Sequence, residues 1–237
     1  PAAAVAVAVA KRPAAAAKRP AAADAGGVAK RPAKSGNLAS LPQFVLVGSY
    51  TSKQGHVCSA SVPQPAGISV FRCAPREDGE RGFQLARLGL QQTPNASYLC
   101  ADRARGRVYA VEEGGADCRL TAFSFCPSSG GLAPLEGASG SGLAGGAVAC
   151  HASLSPDGRL LAAAAYMGGS VALFRVAEDG GIGERLSLAR HEGGVGPNAE
   201  RQEGPHPHMA AFDASGGHVL VPDLGLDQVV SYRVAGG

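Results

Sequence analysis

From residue 43 onward the chain consists of short apolar runs that alternate with polar positions and are separated by glycine-rich and Pro-Asp-Gly-like turns. Alternation with a period of two indicates β-strands, and the closely spaced turns leave no room for helices between them. This pattern predicts nine strands, at 67–73, 107–112, 119–125, 151–155, 159–165, 170–176, 208–213, 218–222 and 228–234.

One alternating strand recurs four times, each time around an aromatic residue, and the steps between successive copies are 52, 51 and 58 residues. The four equivalent residues are Phe71, Phe123, Phe174 and Tyr232. A strand–turn–strand unit precedes the later copies, which gives about four strands per repeat of roughly 40–58 residues, as in a β-propeller blade. A parallel β-helix is the alternative, although its repeats are shorter. The fold class predicted is therefore all-β, a propeller with about three and a half blades in residues 44–234, fewer than the roughly four to eight that close a ring.

Residues 1–40 have a different composition, rich in Ala, Val, Lys, Arg and Pro, with Lys-Arg-Pro starting at Lys11, Lys18 and Lys30. Small side chains bury little surface and prolines interrupt helices, so we expect a disordered tail at 1–40 followed by the partial propeller at 41–237. The tail is compatible with a nuclear-import segment, an organellar transit peptide or a low-complexity extension. It is too short and too weakly apolar to span a membrane.

Charge and cysteine content narrow the class of protein further. Residues 41–237 carry 15 basic and 18 acidic side chains, so the folded part lacks the basic surface of a nucleic-acid-binding protein. The six cysteines show no Cys-x-x-Cys spacing and are interpreted as thiols. These features favour a cytoplasmic protein, with the plastid or the nucleus as alternatives through the tail.

The segment 192–208 concentrates acids, an arginine, an amide and histidines just before a blade begins. Loops and first strands of successive blades converge on the propeller axis, and His151 occupies the same place in its repeat as His208. With Arg201 they form a candidate cluster of acid–base groups and a fixed cation, expected to meet on the channel side. The alternative is that each histidine is a satisfied core or surface residue and Arg201 a solvated charge. Glu203, His206 and His208 resemble metal-ligand spacing, but alternate strand residues face opposite sides, so no metal or other cofactor is predicted.

Several motifs resemble those of the propeller lactonases, which include bacterial 6-phosphogluconolactonases and fungal carboxymuconate-lactonizing enzymes. The matching segments are 47–51, 94–99, 150–151 with 154–159, 196–198 with 204–208, and 221–225. The resemblance covers residues 44–234 and implies the first half of a seven-bladed propeller. Ala165 departs from the family pattern, which has an asparagine there.

The resemblance also implies an activity and a set of residues. The expected activity is metal-free hydrolysis of a sugar lactone, most specifically 6-phosphogluconolactone to 6-phosphogluconate in the pentose phosphate pathway. Alternatives are a carboxymuconate-type lactonizing reaction and a non-enzymatic interaction module. The catalytic residues implied are His151, Arg201, His208, Glu113 and Glu203, and the substrate-binding residues are His206 and Asn198.

The missing blades would carry further pocket residues and would cover the open face of the last blade. We therefore expect this segment, taken by itself, to be an inactive fragment or to self-associate through its open blade edge.

Overall fold

The computed structural model describes residues 5–9, 43–51, 67–76, 82–116, 118–137, 140–193 and 196–235. Every regular element in these ranges is a β-strand. None of the described segments is a helix of the length and apolarity needed to cross a membrane. The strands are β1 (Val5–Val9), β2 (Gln43–Gly48), β3 (Gly67–Pro75), β4 (Phe83–Gln92), β5 (Ala96–Asp102), β6 (Arg107–Glu112), β7 (Arg119–Cys126), β8 (Gly131–Pro134), β9 (Ser141–Leu143), β10 (Ala149–Leu154), β11 (Leu160–Ala165), β12 (Ser170–Val176), β13 (Ile182–Arg190), β14 (Ala211–Phe212), β15 (His218–Asp223) and β16 (Gln228–Arg233).

These strands form four sheets, each built from strands that follow one another in sequence. Blade 1 is β1–β4, blade 2 is β5–β8 with β9 also paired to β7, blade 3 is β10–β13, and blade 4 is β14–β16. Neighbouring strands are antiparallel, apart from the parallel pair β1 and β2. The prediction of an all-β chain made of propeller blades is confirmed.

The first strands of the blades lie beside one another, since β10 contacts both β5 and β14, and β5 contacts β1 and β2. The sheets therefore converge at their first strands, and residues on or just before these strands lie near the middle of the assembly. This arrangement decides where the candidate functional residues meet.

Side-chain alternation packs each blade against both of its neighbours. In β6, Val108 and Ala110 pack against blade 1, whereas Tyr109 and Val111 pack against blade 3. The middle strands are thus buried on both faces, which explains the nearly continuous apolar run of β11. The core is a series of layers between blades rather than one centre.

The hydroxyl of Tyr109 connects blades 2 and 3. It donates a 2.8 Å hydrogen bond to the carbonyl of Gly180, in the turn between β12 and β13, and the ring is fully buried. We expect Tyr109→Phe to lower the free energy of unfolding by about 1 kcal/mol, because the buried carbonyl loses its partner. Urea denaturation would measure this, and an unchanged midpoint would contradict it.

The strand prediction at 208–213 is wrong in its extent, because only Ala211 and Phe212 form a strand there. The N–H of Ala210 bonds to the ring of His151, and its carbonyl accepts the hydroxyl of Ser153, so both main-chain groups bond to side chains of blade 3 instead of to β15. The nine predicted ranges did not include β2, β4, β5, β8, β9 and β13. Of these, the outer strands β4 and β13 are largely exposed, so burial places few constraints on their residue types.

The tail differs from expectation at one place. Val5–Val9 form a strand that pairs in parallel with Phe44–Gly48, so this part of residues 1–40 does contact the propeller segment. Its alternating Val and Ala residues favour an extended backbone, and pairing satisfies the otherwise open edge of β2. The rest of 1–40 lies outside the described residues.

The cysteine prediction is confirmed for five residues, none of which is in a disulfide: Cys73, Cys100, Cys118, Cys126 and Cys150. Cys58 lies outside the described residues.

Blade 4 presents an apolar face on the side away from blade 3. Val229 is 66% exposed and Leu220 is 40% exposed, while Val230 and Val219 on the opposite side pack against blade 3. We expect the 237-residue chain, produced by itself, to self-associate through this face. In sedimentation velocity, Val229→Lys should raise the monomer fraction, whereas Leu143→Lys at an exposed position on blade 2 should not. Equal effects of the two variants would contradict the assignment to blade 4.

Candidate active site

Three of the site residues predicted from the sequence lie around Tyr166, the residue after β11. Its ring stacks on that of His206 with centroids 4.2 Å apart and planes 9° apart. The ring of His208 meets it edge-on at 5.5 Å, and Arg201 Nη2 lies 3.5 Å from its hydroxyl oxygen. We call Tyr166, Arg201, His206 and His208 the Tyr166 cluster.

Arg201 is the exposed cation of this cluster. Its guanidinium donates to the Tyr166 hydroxyl, and this hydrogen bond raises the pKa of Arg201 further above its usual high value. The side chain therefore keeps its charge and has donors directed toward solvent, which suits recognition of a phosphate, a carboxylate or a developing oxyanion.

Each ring nitrogen of His206 lies close to an oxygen atom. Its Nδ1 donates a 3.1 Å hydrogen bond to the main-chain carbonyl of Tyr166. Its Nε2 lies 3.1 Å from Oε1 of Glu203, within ion-pair distance but not aligned for a hydrogen bond. The His206 side chain is only 4% exposed, whereas that of Glu203 is 52% exposed, so Glu203 lies between an enclosed imidazole and solvent.

The loop that carries Arg201 is shaped by its own polar side chains. Gln202 is buried and accepts the N–H of Asn198 at 2.9 Å, while its amide donates to the Leu224 carbonyl at 2.8 Å and to Asp227 Oδ1 at 2.7 Å. The side-chain oxygen of Asn198 accepts the N–H of Glu200 at 3.2 Å. The structure thus shows Asn198 as part of the turn that presents Arg201, and its predicted role in substrate binding stays a prediction.

Asp223, at the end of β15, anchors the segment that contains His206. Its Oδ1 accepts main-chain N–H groups of His206 at 2.7 Å, Gly225 at 2.9 Å and Leu226 at 3.1 Å. Its Oδ2 accepts a 2.5 Å hydrogen bond from Nδ1 of His191, and both side chains are almost fully buried. Sequence reasoning assigned no role to Asp223 or His191, although Asp223 lies in one of the matching motifs.

His151, on β10, lies on the strand next to the Tyr166 cluster. Its ring packs against that of Tyr98 at 4.4 Å, and its Nδ1 accepts the N–H of Ala210 at 3.2 Å. The thiol of the preceding Cys150 contacts the carbonyl oxygen of His208 at 3.5 Å. The structure therefore joins Arg201 and His208 through Tyr166, and it places His151 against Tyr98 and Ala210 beside them.

Glu113 belongs to a second buried polar contact, between blades 1 and 2. Its Oε2 accepts a 2.7 Å hydrogen bond from the hydroxyl of Tyr50, which follows β2. Burial, together with the Glu113 carboxylate, raises the pKa of Tyr50 well above its usual range, so Tyr50 remains a donor. In the sequence, Tyr50 had no role beyond its place in the segment 47–51. Tyr50 and Glu113 are 63 positions apart, so no local sequence pattern predicts their contact.

Across the described ranges, no three His, Cys, Asp or Glu side chains are grouped so that they could hold a metal ion. The Tyr166 cluster, together with Glu203, supplies acid–base groups and a fixed cation.

Comparison with known proteins gives consistent matches. The family described as "Lactonase, 7-bladed beta-propeller" matches residues 44–237. The 6-phosphogluconolactonase of Bacillus subtilis strain 168 is 32% identical over 143 residues, covering 60% of this chain and 39% of that protein. A probable 6-phosphogluconolactonase of Arthroderma benhamiae is 31% identical over 130 residues, covering 55% and 32%.

Two solved structures are similar over most of the chain. One is a putative 6-phosphogluconolactonase from Bacteroides fragilis, with a TM-score of 0.68 and 28% identity, covering 84% of this chain and 50% of that one. The other is a periplasmic gluconolactonase from Pseudomonas aeruginosa, with a TM-score of 0.65 and 29% identity, covering 82% and 50%. The chain spans half the length of these two structures and less than half that of the two sequence relatives.

Proposed function

Because this chain belongs to the lactonase family of seven-bladed β-propellers, matched over residues 44–237, we propose that it carries part of the active site of a sugar lactonase. The substrate proposed is 6-phosphogluconolactone, which hydrolysis converts to 6-phosphogluconate. Two relatives named for that activity, at 32% and 31% identity, support this choice.

The observation that carries the proposal is the Tyr166 cluster. Hydrolysis of a lactone needs a group that takes a proton from water and a cation or donor that meets the carbonyl oxygen as it becomes anionic. Glu203 with His206 supplies acid–base groups 3.1 Å apart, and Arg201 supplies an exposed cation joined to the same tyrosine.

Arg201 also suits a phosphorylated substrate. A guanidinium pairs with phosphate through two parallel N–H donors, and such charge-assisted hydrogen bonds are about twice as strong as neutral ones. A lactone that carries a phosphate should therefore bind better than the same lactone without it.

The test uses the 237-residue chain and two pairs of ligands. Acid release from 6-phosphogluconolactone and from gluconolactone is followed in a pH-stat, and binding of 6-phosphogluconate and gluconate is followed by calorimetry. We expect the phosphorylated product to bind more tightly than gluconate, because only its phosphate can pair with Arg201. Acid release at the uncatalysed rate, together with no binding of either product by a folded chain, would overturn the proposal.

A further inference from the structure

Each blade presents two repeated positions to its two neighbours. The aromatic position faces the preceding blade, since Phe123 packs with residues of blade 1 and Phe174 packs with residues of blade 2. The position three residues earlier faces the following blade, since Leu120 packs with residues of blade 3 and Val171 with residues of blade 4. Each junction between the described blades therefore joins one face of each kind.

On blade 4 the face that would meet a following blade is uncovered. At the equivalent position of the other blades the side chains are at most 7% exposed: Ile68, Leu120 and Val171. Val229, which takes this position in blade 4, is 66% exposed. On the adjacent strand, Leu220 and His218 lie on the same side, because they pair with Ser231 and Arg233. We call His218, Leu220 and Val229 the blade 4 end face.

On blade 1 the opposite face is uncovered. Phe71 takes the aromatic position, so it lies on the side that would face a preceding blade, but in the described part of the chain no sheet precedes blade 1 there. Cys73 and Leu85 pair directly across β3 and β4 on the same side. Leu85 is 56% exposed and Phe83, two residues earlier, is 55% exposed. We call Phe71, Cys73, Phe83 and Leu85 the blade 1 end face.

We propose that the 237-residue chain forms a head-to-tail dimer, in which the blade 4 end face of each copy packs on the blade 1 end face of the other. One chain carries both kinds of face that form a junction, so a second copy fits at each end as neighbouring blades fit within the chain. Two copies supply eight sheets, and propellers close with about four to eight blades. A contact between two different faces stops at two copies when the second contact closes the ring.

The apolar character of the two end faces supports an interface. Exposed apolar side chains grouped on one surface are uncommon in monomers and mark interaction sites. A stable interface buries about 1,200–2,000 Å² in total. The closed dimer forms two junctions at once, and each is a sheet-on-sheet contact of the kind that leaves Ile68 and Phe123 at most 1% exposed within the chain.

The junction of blades 1 and 2 predicts which residues meet between the copies. There the rings of Phe44 and Phe125 lie 5.1 Å apart. His218 is equivalent to Phe44, because each pairs with the residue after the aromatic position of its blade. Cys73 is equivalent to Phe125, because each lies two residues after that position. We therefore expect His218 of one copy to lie next to Cys73 of the second copy.

Cross-linking of His218→Cys tests this contact. The His218 side chain is 49% exposed and Cys73 is in no disulfide. All samples carry Cys126→Ser, because that thiol is exposed. With a short bismaleimide, which joins neighbouring thiols, we expect a covalent dimer in His218→Cys, and none when His218 is native or when Cys73→Ser is added. A cross-link that survives Cys73→Ser, or no cross-link in His218→Cys, would overturn the head-to-tail arrangement.

Mixing two variants gives an independent test. Val229→Lys places a charge in the blade 4 end face and Leu85→Lys places one in the blade 1 end face, and urea denaturation checks that both variants fold. In sedimentation velocity we expect a dimer for the wild type and a monomer for each variant alone. An equimolar mixture of the two should form dimers again, because one of its two junctions joins two unaltered faces.

Several results would overturn the proposal. These are a monomeric wild-type chain, a Leu85→Lys variant that stays dimeric, and a mixture that stays monomeric. Species larger than a dimer in the wild type would overturn the closed ring. None of these measurements depends on lactone hydrolysis, so failure of the proposed function would leave the dimer in place.

Discussion

Replacing Arg201 with alanine should remove the preference for phosphorylated ligands and lower lactonase kcat/KM by about 10²–10³-fold, the usual effect of losing one stabilising group of the transition state. Arg201 is exposed, and its side chain donates a 3.5 Å hydrogen bond to the hydroxyl of Tyr166. The free energy of unfolding should therefore change by less than about 0.5 kcal/mol.

Two further variants serve as controls for this prediction. Arg159→Ala removes an arginine that is 82% exposed in the turn before β11, and it should leave binding unchanged. Arg201→Lys keeps the charge without the two-pronged donor geometry, so it should recover only part of the affinity for phosphate. Calorimetry with 6-phosphogluconate and a thermal melt on each sample measure both effects. Parallel losses of binding and stability in Arg201→Ala would assign the residue a structural role.

Replacing Asp223 with alanine should produce the largest loss of stability. The carboxylate is fully buried and accepts four hydrogen bonds, from three main-chain N–H groups and from His191. Removing it leaves all four donors unpaired in the interior, and breaking a buried pair of this kind costs about 3–5 kcal/mol. Against a typical total of about 5–15 kcal/mol, much of the folded population would be lost.

Asp223→Asn is the matched control, because its side-chain oxygen can still accept the three main-chain N–H groups. It should lose less stability than Asp223→Ala in urea denaturation. Since one of those groups is the N–H of His206, the alanine variant should also disturb the Tyr166 cluster, unlike Arg201→Ala. A loss below about 1 kcal/mol in Asp223→Ala would contradict the anchoring role.

Two inner strands were predicted most accurately. The ranges 107–112 and 170–176 coincide with β6 and β12, because these strands are buried on both faces and have marked apolar patterns. The outer strands β4 and β13 were missed, since a strand with little burial has few constraints on its residue types. The length of β14 was overestimated because the N–H of Ala210 bonds to the His151 ring in another blade, which local pattern does not show.

The sequence identified several residues of the candidate site but did not show how they are arranged. Arg201, His206 and His208 were singled out because they lie in one loop before a blade, and the structure places all three around one aromatic ring. Tyr166, which follows Ala165, was assigned no role from the sequence. The distance along the chain from Tyr166 to His206 is 40 residues, so no local spacing pointed to their contact.

The sequence alone determined the all-β class, the repeated blades and the loop that carries the charged groups, because alternation, turn residues and repeat length are local properties of a chain. Only the tertiary structure decided which groups face one another: Tyr166 with His206, Ala210 with His151, and His191 with Asp223. These contacts join different blades, and they depend on how whole sheets pack side by side.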